Sequence, residues 1–192
     1  MKSIAISGSP RENVGKRDAK ELRYQSLIPA VLYGGATQSH FSVSAADLKA
    51  VVYTPVVHFI DLDIAGQKSQ AIIKDLQFHP LTEQLLHVDF LLLDDKKPIT
   101  IEIPVKLTGT SPGVKVGGKL VQKLRKLRVK GLPKDHLDNI EVSIEELEVG
   151  KSVRVADIEL KNLVITNAQE DTVVSVTTSR ALRQAEQEAA KK

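Results

Sequence analysis

The chain contains no cysteine, which excludes disulfide cross-links and thiolate metal sites and suits a reducing compartment. Long apolar runs are missing as well. No stretch approaches the roughly 20 apolar residues of a membrane span, and the opening Met1-Lys2-Ser3-Ile4-Ala5-Ile6-Ser7-Gly8 lacks the apolar core of a signal peptide. The expectation is a cytoplasmic protein with no membrane association. Catalytic constellations are also absent. The five histidines, His40, His58, His79, His87 and His136, fall at none of the helical spacings that ligate a metal, and no cysteine joins them. Ser7-Gly8-Ser9 has no glycine at the preceding position of a nucleophile elbow. The glycine-rich segment from Gly109 to Gly118 is not closed by the Gly-Lys-Ser/Thr of a phosphate-cradling loop. The acid pairs Asp61/Asp63 and Asp94/Asp95 are explained by alternate strand positions and a linker, with no cation needed. No enzyme, no cofactor and no small-molecule substrate is expected.

What the chain does have is a core and an uneven charge. Its 192 residues are 42% hydrophobic and 27% charged, enough to bury apolar surface in two domains. The net charge of +3 conceals a strong polarity. Residues 96–130 carry ten bases and one acid, Glu102, whereas residues 131–179 carry four bases and ten acids. A basic block beside an acidic one reads as a polyanion-facing surface with a solvated far side, the alternative being two solubilising faces.

Taken in order, Ser3 to Ser7 alternates as a strand that Gly8, Ser9 and Pro10 should end. Lys16 to Gln25 is rich in helix formers, and Lys16, Lys20 and Arg23 at i, i+4 and i+7 share one face. The stripe either grips adjacent phosphates or is a plain surface helix. Leu27 to Gly35 is an apolar strand whose Pro29 should begin at or lie along a sheet edge. His40 to Val43 reads as a strand, and Ser44 to Val52 as a helix capped by Ser44 with Asp47 at the capping-box position. Val57 to Ile64 and Gln70 to Lys74 pair across a turn at Ala65-Gly66-Gln67. The charged, proline-terminated Asp94 to Pro98 is a linker and the expected domain boundary. Beyond it, Ile99 to Leu107, Ile140 to Ile144, Ser152 to Val155 and Thr172 to Val176 read as strands. Leu120 to Lys130 is ambiguous between helix and strand, and residues 181–192 form a charged helical or frayed tail.

The most informative stretch is Lys74-Asp75-Leu76-Gln77-Phe78-His79-Pro80 followed by Leu85-Leu86-His87-Val88-Asp89-Phe90. Two short runs interleave Lys74, Gln77, His79, His87 and Asp89 with Leu76, Phe78, Leu86, Val88 and Phe90. Paired as strands they place the apolar set in a core and the polar set on an open sheet face. Asp89 is out of place in simple phosphate binding. It accepts from a base amino group or a 2′-hydroxyl, or orients His87, or simply bonds neighbouring backbone. About six strands and two helices in some ninety residues make a small closed or nearly closed barrel economical.

The order Gly15-Lys16, Leu22-Arg23, Ile28-Pro29-Ala30-Val31-Leu32-Tyr33-Gly34, Lys74 to Pro80 and His87 to Phe90 resembles the bacterial large-subunit ribosomal protein L-twenty-five family, in its long form, the general stress protein Ctc type. The resemblance implies a mainly β, α+β protein. A six-stranded N-terminal β-barrel, residues 1–94, is expected to bind 5S ribosomal RNA, and a β-rich C-terminal domain, residues 95–180, to contact neighbouring ribosomal proteins or 23S RNA. It also implies RNA-facing roles for Lys16, Arg17, Lys20, Arg23, Tyr33, Lys74, Gln77, His79, His87 and Asp89, in a structural protein of the large ribosomal subunit. Relatives carry adjacent arginines in the helix where this chain has Lys20 and Glu21, so a guanidinium fork is replaced there by a point charge. The competing reading is a non-ribosomal interaction module that binds an acidic partner through residues 96–130.

Overall fold

Alternating apolar residues in the first ninety positions are gathered into a closed barrel. Its strands are β1 (Ser3–Pro10), β2 (Leu27–Tyr33), β3 (Ser39–Ser44), β4 (Phe59–Ile64), β5 (Gln67–Phe78) and β6 (Leu85–Leu92), in the order β1-β3-β2-β6-β5-β4. The structure, a computed structural model, describes residues 3–35 and 37–178. The tail expected over 181–192 lies outside them. The chain divides into two compact units, Met1–Pro98 and Ile99–Lys192. Inside the barrel, Ile6, Ile28, Val43, Ile60, Leu62 and Val88 surround Phe41 and Phe90, whose ring centroids lie 5.6 Å apart. Closure leaves the barrel no free sheet edge of the kind that recruits foreign strands.

Two sequence expectations fail here for the same reason, namely that closure is a long-range event. β1 does not stop at Ser7. Ser3 to Gly8 runs parallel to β4, and the strand is then handed to β3, pairing antiparallel through Gly8, Ser9 and Pro10. At the handover only glycine fits, because a Cβ on Gly8 would sit 2.6 Å from Cδ2 of Phe41. Nor is Pro29 at an edge: β2 lies between β3 and β6. The proline is tolerated because the ladder with β6 begins only at Ala30, so on that side no hydrogen bond is lost.

Local chemistry sets the other connections. β4 and β5 are joined by Ala65 and Gly66, both in the left-handed region at φ of 50° and 88°, the pattern of a two-residue hairpin turn that matches strand twist. Helix α2 (Ala45–Val52) starts at Ser44, whose hydroxyl accepts from the Ala46 N–H at 3.3 Å, and it buries Leu48 and Val51. Helix α1 (Lys16–Tyr24) buries no residue and so lies on the surface. The turn after it passes through Ser26, in the left-handed region with φ of 60°, whose carbonyl accepts from Ala45 N–H at 3.0 Å. That bond links the exit of α1 to the start of α2.

The second unit is β-rich. It holds β7 (Ile99–Thr108), α3 (Pro112–Lys115), β8 (Lys119–Gln122), β9 (Lys126–Gly131), β10 (Ile140–Ser143), β11 (Ser152–Arg154), β12 (Val164–Ile165) and β13 (Thr172–Thr177). They form a four-stranded sheet, β10-β7-β9-β12, and a three-stranded sheet, β11-β13-β8. The ambiguous segment from Leu120 to Lys130 is thus two strands and not a helix. Leu127 and Val129 are fully buried while Lys126, Arg128 and Lys130 between them are exposed, a period of two. Short α3 fits against the turn after β10 because Gly113 has no side chain: a Cβ there would lie 2.7 Å from the backbone of Glu148 and of Val149.

Candidate nucleic-acid interface

The site begins with α1. Lys16, Arg17, Lys20 and Arg23 are all exposed along it, and the Lys20 ammonium lies 5.7 Å from the centre of the Tyr24 ring one turn on. The acids among these cations are partly neutralised. Arg11, with its side chain only 10% exposed, reaches from the end of β1 to Asp18 at 2.5 Å and to the Asn13 carbonyl at 3.1 Å. Arg11 therefore fixes the loop that presents α1. Its sequence spacing gives no sign of this role, which depends on how the loop folds back.

The other wall is the β5–β6 hairpin, and two bulges decide its geometry. Between Ile73 and Asp75 the register steps over Lys74, and between Gln77 and Phe78 it steps over Leu86 on the partner strand. Each bulge inserts one residue and changes which side chains face the core. The expected core set is corrected accordingly. Leu76, Val88 and Phe90 do pack inward, but Leu85 is the buried leucine in place of Leu86, and Phe78 is 41% exposed. Between the bulges, Asp75 stands opposite Asp89 and Gln77 opposite His87, with Leu76 and Val88 packed inward between them. Four polar side chains thus share the outer surface as two adjacent cross-strand pairs.

The second bulge also joins the two walls. It leaves Leu86 outside the regular ladder, and the Leu86 carbonyl accepts from Nε of Arg23 at 3.1 Å. The C-terminal turn of α1 is therefore held beside the Gln77–His87 pair. Four further N–H groups of that guanidinium are available for other acceptors. Lys16, at the opposite end of the helix, lies roughly 10 Å away along its axis.

His87 and Asp89, two residues apart on β6, form a close pair: Nδ1 lies 2.7 Å from Asp89 Oδ1, with both side chains about a quarter exposed. A carboxylate only accepts, so Nδ1 carries the proton, and Nε2 is the nitrogen left to face a ligand. Of the readings open for Asp89, orientation of His87 is the one the geometry realises. Tyr33, on neighbouring β2, shares this environment. Burial raises its hydroxyl above the ordinary tyrosine range, and the nearby charges of Asp89 and Asp75 add to the effect. The phenol stays protonated and is a donor.

Not every residue expected at the site sits in it equally. Nδ1 of His79 accepts from the backbone N–H groups of Leu81 and Thr82 at 3.3 and 3.2 Å, and its own N–H and carbonyl bond to Gln84 and Glu83. His79 thus organises the hairpin loop, with Nε2–H as its remaining donor. Lys74 is exposed at the first bulge. Asp75, which faces Asp89 across the pair of strands, is a member the sequence reading did not single out. Its position follows only once the bulge at Lys74 is known.

A closed six-stranded barrel with a hydrogen-bonding outer face bordered by a cationic helix makes the first unit a small β-barrel domain. Residues 6–90 match the Ribosomal L25p family, and residues 98–180 match the domain described as ribosomal protein TL5, C-terminal domain. Proteins described as large ribosomal subunit protein bL25 are similar over nearly the whole chain. That of Cytophaga hutchinsonii is 49% identical over 192 residues, covering all of both chains. The Phocaeicola vulgatus protein is 43% identical across 95% of this chain and 96% of its own, and the Porphyromonas gingivalis protein 39% identical across the same shares. The chain belongs to the ribosomal L25p family, in the long form that carries a TL5-type C-terminal domain.

Proposed function

We propose that the N-terminal unit binds 5S ribosomal RNA through α1 and the outer face of β5 and β6. As a family member the protein is a structural constituent of the large ribosomal subunit in the bacterial cytoplasm, and it is not an enzyme. The non-ribosomal reading is set aside on that ground. The observation that carries the RNA assignment is the bond from Arg23 to the Leu86 carbonyl, because it unites a cationic helix and a hydrogen-bonding sheet face in one surface. Structured RNA presents a shallow minor groove lined with 2′-hydroxyls and base edges, recognised by shape and hydrogen bonding. Lys16, Arg17 and Lys20 supply charge to phosphates, and Tyr33, Gln77 and His87 supply hydrogen-bonding groups held in place by the barrel. Residues 1–94 carry nine bases and ten acids, so the grip comes from the local stripe and not from overall charge.

Titration of the full chain against 5S RNA at several salt concentrations tests the assignment. Lys16→Ala should weaken binding and flatten the salt dependence by about 0.7–0.9 in log–log slope, the signature of one lost phosphate contact. Gln77→Ala should weaken binding with little change of slope. Binding that is independent of salt, or no binding, would overturn the proposal.

A further inference from the structure

The barrel leaves the most basic part of the sequence unexplained. In the C-terminal unit that block is given a definite shape by β9, whose exposed residues are Lys126, Arg128 and Lys130. Alternate strand residues stand about 6–7 Å apart, so the three cations make a straight row of roughly 13 Å. Among the described residues one acid reaches into the row: Glu102, opposite Arg128 on β7, accepts from its Nε at 3.0 Å. The arginine is thereby oriented, with the terminal nitrogens of its fork available to a further acceptor. Lys106 lies on the same outer face of β7, and its contact with Glu141 is long, 4.0 Å between exposed groups. Since the sheet order is β10-β7-β9-β12, charge is graded across one surface, from Glu141 on β10 to the cationic row on β9.

The chemistry of this face selects between polyanions. A specific protein partner needs apolar anchors at the centre of its interface. Here the residues opposite the row are Thr100, Glu102 and Pro104, and the large apolar side chain paired with it is Val164, on the two-residue β12 at the margin. Binding to nucleic-acid backbone has no such requirement, since charge neutralisation and counterion release supply it, and the spacing of the row is comparable with that of neighbouring phosphates on one strand. We propose that the outer face of β9 is a second RNA site, separate from the barrel, that holds a ribosomal RNA backbone through Lys126, Arg128 and Lys130 without reading its sequence. The inference rests on the ribosomal assignment but not on the 5S face of the barrel.

The test uses the full chain and three probes: an RNA duplex of arbitrary sequence, 5S RNA and polyglutamate. Against the arbitrary duplex, the variant Lys126→Gln/Arg128→Gln/Lys130→Gln should lose about two to three units of salt slope. That is a roughly 15–65-fold part of the affinity change between 50 and 200 mM salt. Lys126→Arg/Lys130→Arg should keep wild-type binding, as charge at these positions requires, and an unchanged thermal midpoint of the triple glutamine variant excludes a folding defect as the cause. Lys16→Ala should leave the β9 contribution to duplex binding in place while weakening 5S RNA, so failure of the barrel assignment reads out separately. An unchanged slope in the triple glutamine variant overturns the proposal. Polyglutamate binding as tight as duplex binding, lost with the same three residues, also overturns it in favour of an acidic protein partner.

Discussion

Asp89 is the residue at which charge and geometry make opposite predictions. Placed near RNA, a carboxylate is repelled by phosphates, and its removal should tighten binding. At about 10 Å in water that repulsion is only about 0.4 kcal/mol, and physiological salt, with a Debye length of about 8 Å, reduces it further. Against it stands the 2.7 Å bond that fixes the proton on Nδ1 of His87 and aims Nε2 outward. A charge-assisted hydrogen bond contributes about 1.5–3 kcal/mol when well sheltered. Both side chains are about a quarter exposed, so screening brings this to about 1 kcal/mol. Orientation therefore wins. Asp89→Ala should weaken 5S RNA binding about two- to fivefold with no change of salt slope, and Asp89→Asn, which keeps an acceptor for Nδ1–H, should recover to within about twofold. Fluorescence anisotropy against labelled 5S RNA across a salt series measures both quantities. Tighter binding by Asp89→Ala, with a steeper slope, would mean that repulsion outweighs orientation.

Three further consequences concern the scaffold. Gly8→Ala forces a Cβ to within 2.6 Å of the Phe41 ring. It should destabilise the barrel by about 1–3 kcal/mol, visible as faster hydrogen exchange of the Phe41 and Val43 amides. Arg23→Ala removes the bond to Leu86 and should cost about 1 kcal/mol of docking, which the exchange rates of the α1 amides would report as roughly fivefold acceleration. His136 makes the C-terminal unit sensitive to acid. It is 5% exposed, and burial holds its imidazole below the ordinary value of 6.5, outweighing the backbone of Gly131 and Ile99 and the charge of Asp135. Below pH 6.5 the unfolded chain takes up a proton that the folded unit resists. Stability should therefore be fullest above that pH and fall as pH is lowered from 6.5 toward the depressed folded-state value. In His136→Leu this part of the loss should vanish from denaturation midpoints measured between pH 7 and 5.

Much of the fold was legible because it is local. The helix at Ser44, the hairpin at Ala65-Gly66 and the period-two strands of both halves are written in capping, turn and alternation chemistry. The continuation of β1 through Pro10 and the interior place of Pro29 were not, since each depends on which distant strand supplies the partner. The site divides in the same way. The cationic stripe from Lys16 to Arg23 follows from helical spacing alone. The sheet face does not, because bulges at Lys74 and Leu86 shift the phase of the hairpin by one residue each and so exchange core for surface. The same shifts set Asp75 opposite Asp89 and free the Leu86 carbonyl for Arg23. His79, expected to face RNA, spends one ring nitrogen on its own loop, a role that no alternation pattern encodes.

Cross-linking of the full chain to 5S RNA, with the attached peptides mapped by mass spectrometry, would show whether α1 and the β5–β6 hairpin together face the RNA. Cross-links should concentrate in the segments 16–24 and 74–90 and be diminished by Lys16→Ala and Gln77→Ala. Cross-links to 5S RNA confined to residues 119–130, with the two barrel segments unmarked, would contradict it.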